Sequence, residues 1–170
     1  MKTKSLLLFG IIISLGFAIK PDLPTSLPEK IKDLPLGILV KHNLDTVWAS
    51  FNKEPERGLK YKWYYETTVS AIHKDLKIIE FGGYNFVNGI WIEKNLGGKP
   101  FTNEDFEKWY KCRAGNLIVN KSYTDINNWS TSNFIDGMAN KSLWYFIGED
   151  SNKIKFVGYA KIISMPKMKK

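Results

Sequence analysis

The stretch Leu59-Lys60-Tyr61-Lys62-Trp63-Tyr64-Tyr65-Glu66-Thr67-Thr68-Val69-Ser70-Ala71 decides the fold class. Leu59, Tyr61, Trp63, Tyr65, Thr67, Val69 and Ala71 place an apolar or β-branched group at every second position, while Lys60, Lys62, Glu66, Thr68 and Ser70 fill most of the others. Successive side chains of a strand point to opposite faces, so this period of two predicts a long, half-buried β-strand. Tyr64 breaks the pattern. It falls on the polar face next to Tyr65 on the apolar one, so at least one of the two rings has to be edge-packed or exposed.

Downstream, His73-Lys74-Asp75 reads as a turn, and Leu76 to Val87 as a more central strand with apolar residues on both faces and a bulge or bend at Gly82-Gly83. Asn88-Gly89 between Phe86-Val87 and Ile90-Trp91-Ile92 is a hairpin signal, because both central residues of a type I′ turn need positive φ. After a glycine-containing loop from Asn95 to Pro100, residues 102–113 predict a short helix. Thr102 is its cap, Asp105 reaches back as in a capping box, Phe101 and Phe106 form a staple, and Gly115 ends it. Strands follow at Leu117 to Val119, Leu143 to Ile147 and Ile154 to Ile163, the last two joined by a polar turn at Asp150-Ser151-Asn152. Upstream, Leu44, Val47, Trp48 and Phe51 have the spacing of one helical face with Asn43 as cap, so a short helix is expected there. Strands joined by turns point to a mainly β protein, an antiparallel two-layer β-sandwich that resembles immunoglobulin-like domains in size and strand number only. A small β-barrel is the alternative.

Met1, Lys2 and Lys4 precede the apolar run Leu6 to Phe17, which ends at Ala18 with Gly16 two positions before it. A basic start, a short apolar core and small residues before the scissile bond describe a secretory signal peptide over residues 1–18. A span needs about 20 apolar residues, and this run stops at Lys20-Pro21, so no membrane span is expected after signal removal. Pro21, Pro24, Pro28 and Pro35 make residues 19–35 an extended lead-in, followed by one domain over 36–166 and a basic tail over 167–170. The expected location is secreted or periplasmic.

The 170-residue chain carries a formal charge of +8, which falls to +6 when Lys2 and Lys4 leave with the signal. Its lysines are spread along the chain, and an exported protein with no nucleic-acid-binding motif is not expected to take nucleic acid as a partner. One cysteine excludes an intramolecular disulfide framework and a multi-cysteine zinc site. A blue-copper site is disfavoured too, because His42 and His73 both precede Cys112 and no histidine follows it. No metal or cofactor is therefore expected. Cys112 reads as a small buried hydrophobe, with an intermolecular disulfide as the other reading.

No G-x-S-x-G elbow is present, and the carboxylates that draw notice are Asp125 and Glu80, the latter inside a mostly apolar strand. The segment Ser122 to Ser130 differs from the rest: it reads as a polar, Asn-rich loop holding Tyr123, Asp125, Asn128 and Trp129. An aromatic face flanked by amide and carboxylate groups suits a sugar ring, whose C–H face stacks while its hydroxyls find polar partners; one buried tryptophan pinning a loop is the competing reading. Sequons at Asn120, Asn128 and Asn140 are glycosylation acceptors only if export is eukaryotic. The leading expectation is a non-enzymatic binding domain for a protein or glycan, through Tyr123, Asp125, Asn128 and Trp129. A small secreted hydrolase using carboxylates such as Glu80 or Asp125, with Glu80 the candidate acid, or a structural subunit joined to a partner by strand addition, are the alternatives.

Overall fold

The computed structural model describes residues 22–53, 59–135 and 137–168. The decisive stretch forms Tyr61–Ala71 (β3), which buries Trp63, Tyr65, Thr67, Val69 and Ala71 and turns Tyr64 and Glu66 to solvent. Around it lie Ile38–His42 (β1), Thr46–Phe51 (β2), Leu76–Val87 (β4), Ile90–Glu93 (β5), Asn116–Leu117 (β6), Ser122–Ser132 (β7), Asn140–Glu149 (β8) and Lys155–Met168 (β9), with one α-helix, Asn103–Tyr110 (α1). The protein is mainly β. Its strands hydrogen-bond into one mixed sheet of order β1-β3-β2-β9-β8-β4-β5, with β7 added on β3 and β6 on β4, and the sheet does not close into the alternative barrel. One pairing departs from the antiparallel expectation: β2 runs parallel to β9, with Thr46 opposite Ile163.

Two local expectations are corrected. The helix over Leu44 to Phe51 is instead a lead into β2, where Val47 and Ala49 are buried; Leu44, ahead of the strand, and Phe51, at its end, half of the supposed helical face, are exposed. Eight residues of β-branched and aromatic side chains carry both periods, and the free backbone of β9 settles the choice. The Asn-rich loop over Ser122 to Ser130 is instead β7, paired with β3 from Ser70↔Ser122 to Tyr61↔Ser132. Asn and Asp disfavour strands on propensity alone, but the long edge of β3 offers a complete ladder. The misfit is absorbed at one bulge near Ile126-Asn127, where the Asp125 carboxylate accepts from the Asn127 N–H at 2.9 Å.

A second bulge fixes which residue faces where. In β4 the pairing to β8 shifts between Ile78 and Glu80, before the expected site at Gly82-Gly83. Ahead of the shift Leu76 and Ile78 face the main core, and beyond it Phe81 does, so Glu80 is thrown to the opposite face with Tyr84. The main core joins β1, β3, β4, β7 and β8 to α1, whose Phe106 and Tyr110 meet Phe81 and Phe146 in a cluster of edge and stacked rings. α1 starts with the predicted capping box: Thr102 Oγ1 accepts from Asp105 N–H, and the Asp105 carboxylate accepts from Thr102 N–H at 2.9 Å. It stops earlier than expected, at Lys111 in the left-handed region (φ 55°). Cys112 is fully buried beyond it, its thiol donating to the Asn116 carbonyl and pushed up to about 11 by burial, which suits the inert-thiol reading.

The opposite face of β4 and β8 is covered by the lead-in. Ile31 is completely buried against Tyr84, Leu143, Tyr145, Ile147 and Val157, with Leu27 and Leu34 beside it. Lys161 donates to the Pro24 and Ser26 carbonyls and the Trp91 indole N–H to Ser26, so the segment is tied at several points. β9 continues to Met168, past the expected boundary at 166, and places the Lys167 ammonium 5.3 Å from the Trp48 ring. The proposed signal over residues 1–18 and the end of the tail, residues 169–170, lie outside the described residues.

Candidate functional site

β7 sorts the four candidate residues by face. Tyr123, Asp125 and Asn128 point inward: Tyr123 joins the main core and donates to the Asn116 carbonyl, and Asn128 donates its amide to Thr67 Oγ1 at 2.7 Å. Asp125 is 8 % exposed, and burial raises its carboxyl above the usual range. This inner polar row continues to His42, whose Nδ1 lies 3.0 Å from Thr67 Oγ1 and whose ring meets Tyr65 edge-on. Desolvation lowers His42 to about 4, so it is neutral at pH 7; its Nε2 has no well-aligned hydrogen-bond partner, and the Ala160 carbonyl only partly opposes the shift. These groups hold β3 to its neighbours and are not presented to solvent.

Trp129 points the other way and is 43 % exposed. Its cross-strand partner in the ladder is Tyr64, the residue that broke the alternation of β3, which is 42 % exposed. The two rings stand side by side on the outer face. Tyr64 is fixed by its hydroxyl, which donates to Asn127 Oδ1 at 2.7 Å, and the bulge is what turns Asn127 outward to receive it. Lys62 lies two residues before Tyr64 on the same face, with its ammonium 4.5 Å from the Tyr64 ring centroid and 5.0 Å from that of Trp129. A shallow cleft of about 270 Å³ opens beside them, walled by Phe51, Asn52, Lys53 and Thr131. Of the residues that make this surface, sequence reasoning found Trp129 alone. The signal for Tyr64 was its position on the wrong face of β3; Lys62 and Asn127 depend on the register between two strands.

Chemically this surface offers the rings of Tyr64, Trp129 and Phe51, the ammonium groups of Lys62 and Lys53, and amide and hydroxyl groups, and among the described residues lining the cleft there is no carboxylate. It can stack and hydrogen-bond a ligand. Glu80 lies elsewhere. Its carboxylate is 2.6 Å from the Lys30 ammonium, which also donates to the Tyr145 hydroxyl at 3.2 Å and stands 3.8 Å from Glu93. Tyr84 donates to Glu93 at 3.1 Å. The structure thus brings Glu80 together with Glu93 under the lead-in, with Lys30 bridging them, and not with Asp125. Among the described residues no cluster of His, Cys, Asp and Glu suits a metal ion, and no helix is long and apolar enough to cross a membrane.

Comparison with family models and with curated proteins finds no match. Among solved structures the chain is similar to the sporulation control protein Spo0M from Bacillus subtilis, at 10 % identity over 76 % of this chain and with a TM-score of 0.34. The chain spans about half (49 %) of the length of that protein, and a likeness at this score does not establish a shared fold.

Proposed function

We propose that this chain is an exported, non-enzymatic domain that binds a glycan on the Tyr64–Trp129 surface. The observation that carries the reading is the in-register pair of outward aromatic rings, one of them fixed by Asn127 and both flanked by Lys62. Two half-exposed aromatics on adjacent strands keep apolar surface in water that folding does not bury, whereas the C–H face of a sugar ring covers both and leaves its hydroxyls to Lys62, Asn52 and Thr131. Rigid strands hold the rings, so little ordering cost falls on binding. Export rests on the sequence of residues 1–18, and mass determination of the mature chain recovered from outside the cytoplasm tests it.

Affinity electrophoresis against a panel of neutral and acidic polysaccharides tests the binding. Mobility retardation of the wild-type protein is expected, and Trp129→Ala or Tyr64→Ala should weaken it about tenfold or more, since about 1.4 kcal/mol per decade is within what a truncated aromatic contact costs. Retardation by none of the polysaccharides, or undiminished retardation of Trp129→Ala, refutes the proposal. Strand addition has one observation in its favour: among the described residues β7 pairs with β3 alone and carries neither Lys nor Pro on its length. The bulge near Ile126-Asn127 interrupts that edge, as bulges on protected edges do, and weighs for the outer face as the contact surface.

A further inference from the structure

A second cavity of about 280 Å³ opens where the ends of β3 and β7 face β4, β8 and β9. Its polar wall has a defined sense. Asn85 Oδ1 accepts from Ser142 Oγ at 2.9 Å and from Asn140 Nδ2 at 3.2 Å, and Asn140 Nδ2 also donates to Ser142 Oγ. With its oxygen engaged, Asn85 has only its amide N–H groups to offer the cavity, and Asn140, with its nitrogen engaged, has its oxygen. Lys94 adds an ammonium group. It follows β5 directly, and its backbone N–H is tied to the Gly83 carbonyl at 2.8 Å, so the stem is rooted on the sheet. The residue as a whole is exposed, while desolvation lowers the amine below the usual lysine value. Among the described residues lining the cavity there is no carboxylate to offset that charge.

The other wall is apolar. Trp63 spends its indole N–H on the Met165 carbonyl at 2.8 Å, which leaves a carbon surface toward the cavity, and Ile135 stands beside it. A ligand that satisfies all of this carries a negative group for Lys94 and Asn85, hydroxyls for Asn140 and Ser164, and a carbon face for Trp63. The volume limits it to about one sugar ring. We infer that this cavity is a binding site for a small hydroxylated carboxylate of the uronic acid class, held by Lys94 and Asn85. The site is separate from the Tyr64–Trp129 surface and stands or falls without it; Thr131 is the one residue that borders both.

The test uses the mature protein and D-glucuronate, followed by NMR chemical-shift titration and read as Kd. Saturable shifts are expected for glucuronate, with glucose at least tenfold weaker because it lacks the carboxylate. Lys94→Met keeps the stem and removes the charge, and should weaken glucuronate tenfold or more while Lys32→Ala, at an exposed position outside both cavities, leaves it within twofold. Absence of saturable binding by the wild-type protein, equal affinity for glucose, or undiminished binding by a Lys94→Met protein with an unchanged unfolding midpoint each overturns the inference. If Lys94→Met fails to fold, Asn85→Asp, which places a repelling carboxylate in the same wall, takes its place with the same expectation and the same refuting result.

Discussion

Replacing Ile31 with Ala asks whether the proline-punctuated lead-in belongs to the folded domain. Ile31 has no exposed surface and packs against Tyr84, Leu143, Tyr145, Ile147 and Val157. Truncation removes three buried carbon groups, about 0.8 kcal/mol each and so about 2.4 kcal/mol in transfer alone. A cavity term is added if the neighbours do not collapse, and buried Ile→Ala changes of this kind span about 2–5 kcal/mol. Tyr84 and Tyr145 are rigid rings held by hydrogen bonds to Glu93 and Lys30, so little collapse is expected and the upper half of that range applies. For a domain of this size about 1 kcal/mol moves the midpoint by about 2–4 °C, so the thermal midpoint should fall by at least about 7–14 °C. Urea denaturation followed by circular dichroism gives the free energy directly, with Lys32→Ala as the control, since Lys32 is exposed and forms only a surface pair with Glu29. A loss of less than about 0.5 kcal/mol for Ile31→Ala, the ordinary effect of a surface change, would show that the segment is not docked.

His42 gives the stability a pH dependence. Its folded value of about 4 lies below the value of 6.5 in the unfolded chain, so the unfolded state takes up the proton first: stability is full above pH 6.5 and falls as pH drops toward and below 4, by about 3 kcal/mol in all. His42→Phe, which keeps the edge contact with Tyr65, should lose less stability than wild type between pH 7 and 4.5 in urea titrations; equal losses would exclude His42 as the source. Gly158 has a steric reason. A Cβ there would come 2.6 Å from that of Ile38 and clash with its carbonyl, so Gly158→Ala should cost about 1–3 kcal/mol, whereas at Gly83 the nearest atom is at 3.7 Å and the same change should stay within about 1 kcal/mol. Thermal melts of the two variants decide, and equal midpoints would show that β1 does not cross β9 so closely.

Elements whose information is local were legible from the residues. β3 announces itself by alternation, the capping box of α1 by Thr102 and Asp105, and the hairpin by Asn88 and Gly89, both of which adopt positive φ (50° and 87°). Elements that depend on a remote partner were not. β2 exists as a strand because β9 lies beside it, and β7 because β3 does, although its Asn and Asp residues speak for a loop. The bulge at Ile78–Glu80 has no mark in the sequence, and it decides that Glu80 faces the lead-in and meets Lys30. The candidate site divides the same way. Trp129 was recognisable from composition, but Tyr123, Asp125 and Asn128 were grouped with it on a loop, and a strand sends the three of them inward while bringing Tyr64 alongside.

The parallel pairing of β2 with β9 has a consequence for how the chain acquires its structure. Among the described strands β9 is made after all the others and β2 is one of the first, and β9 also supplies a full ladder to β8. Among the described residues, the half of the sheet built on β1, β2 and β3 is therefore hydrogen-bonded to the half built on β4 and β8 only through β9, while side chains of the two halves meet in the main core. Contacts of such sequence separation carry a large loop-closure cost before they contribute, which places this chain among slow-folding topologies. During synthesis the β2 edge waits without its β9 partner until residues 155–168 have emerged, and a chain ending before them would lack the hydrogen-bonded seam between the two halves and leave strand margins exposed and prone to aggregate.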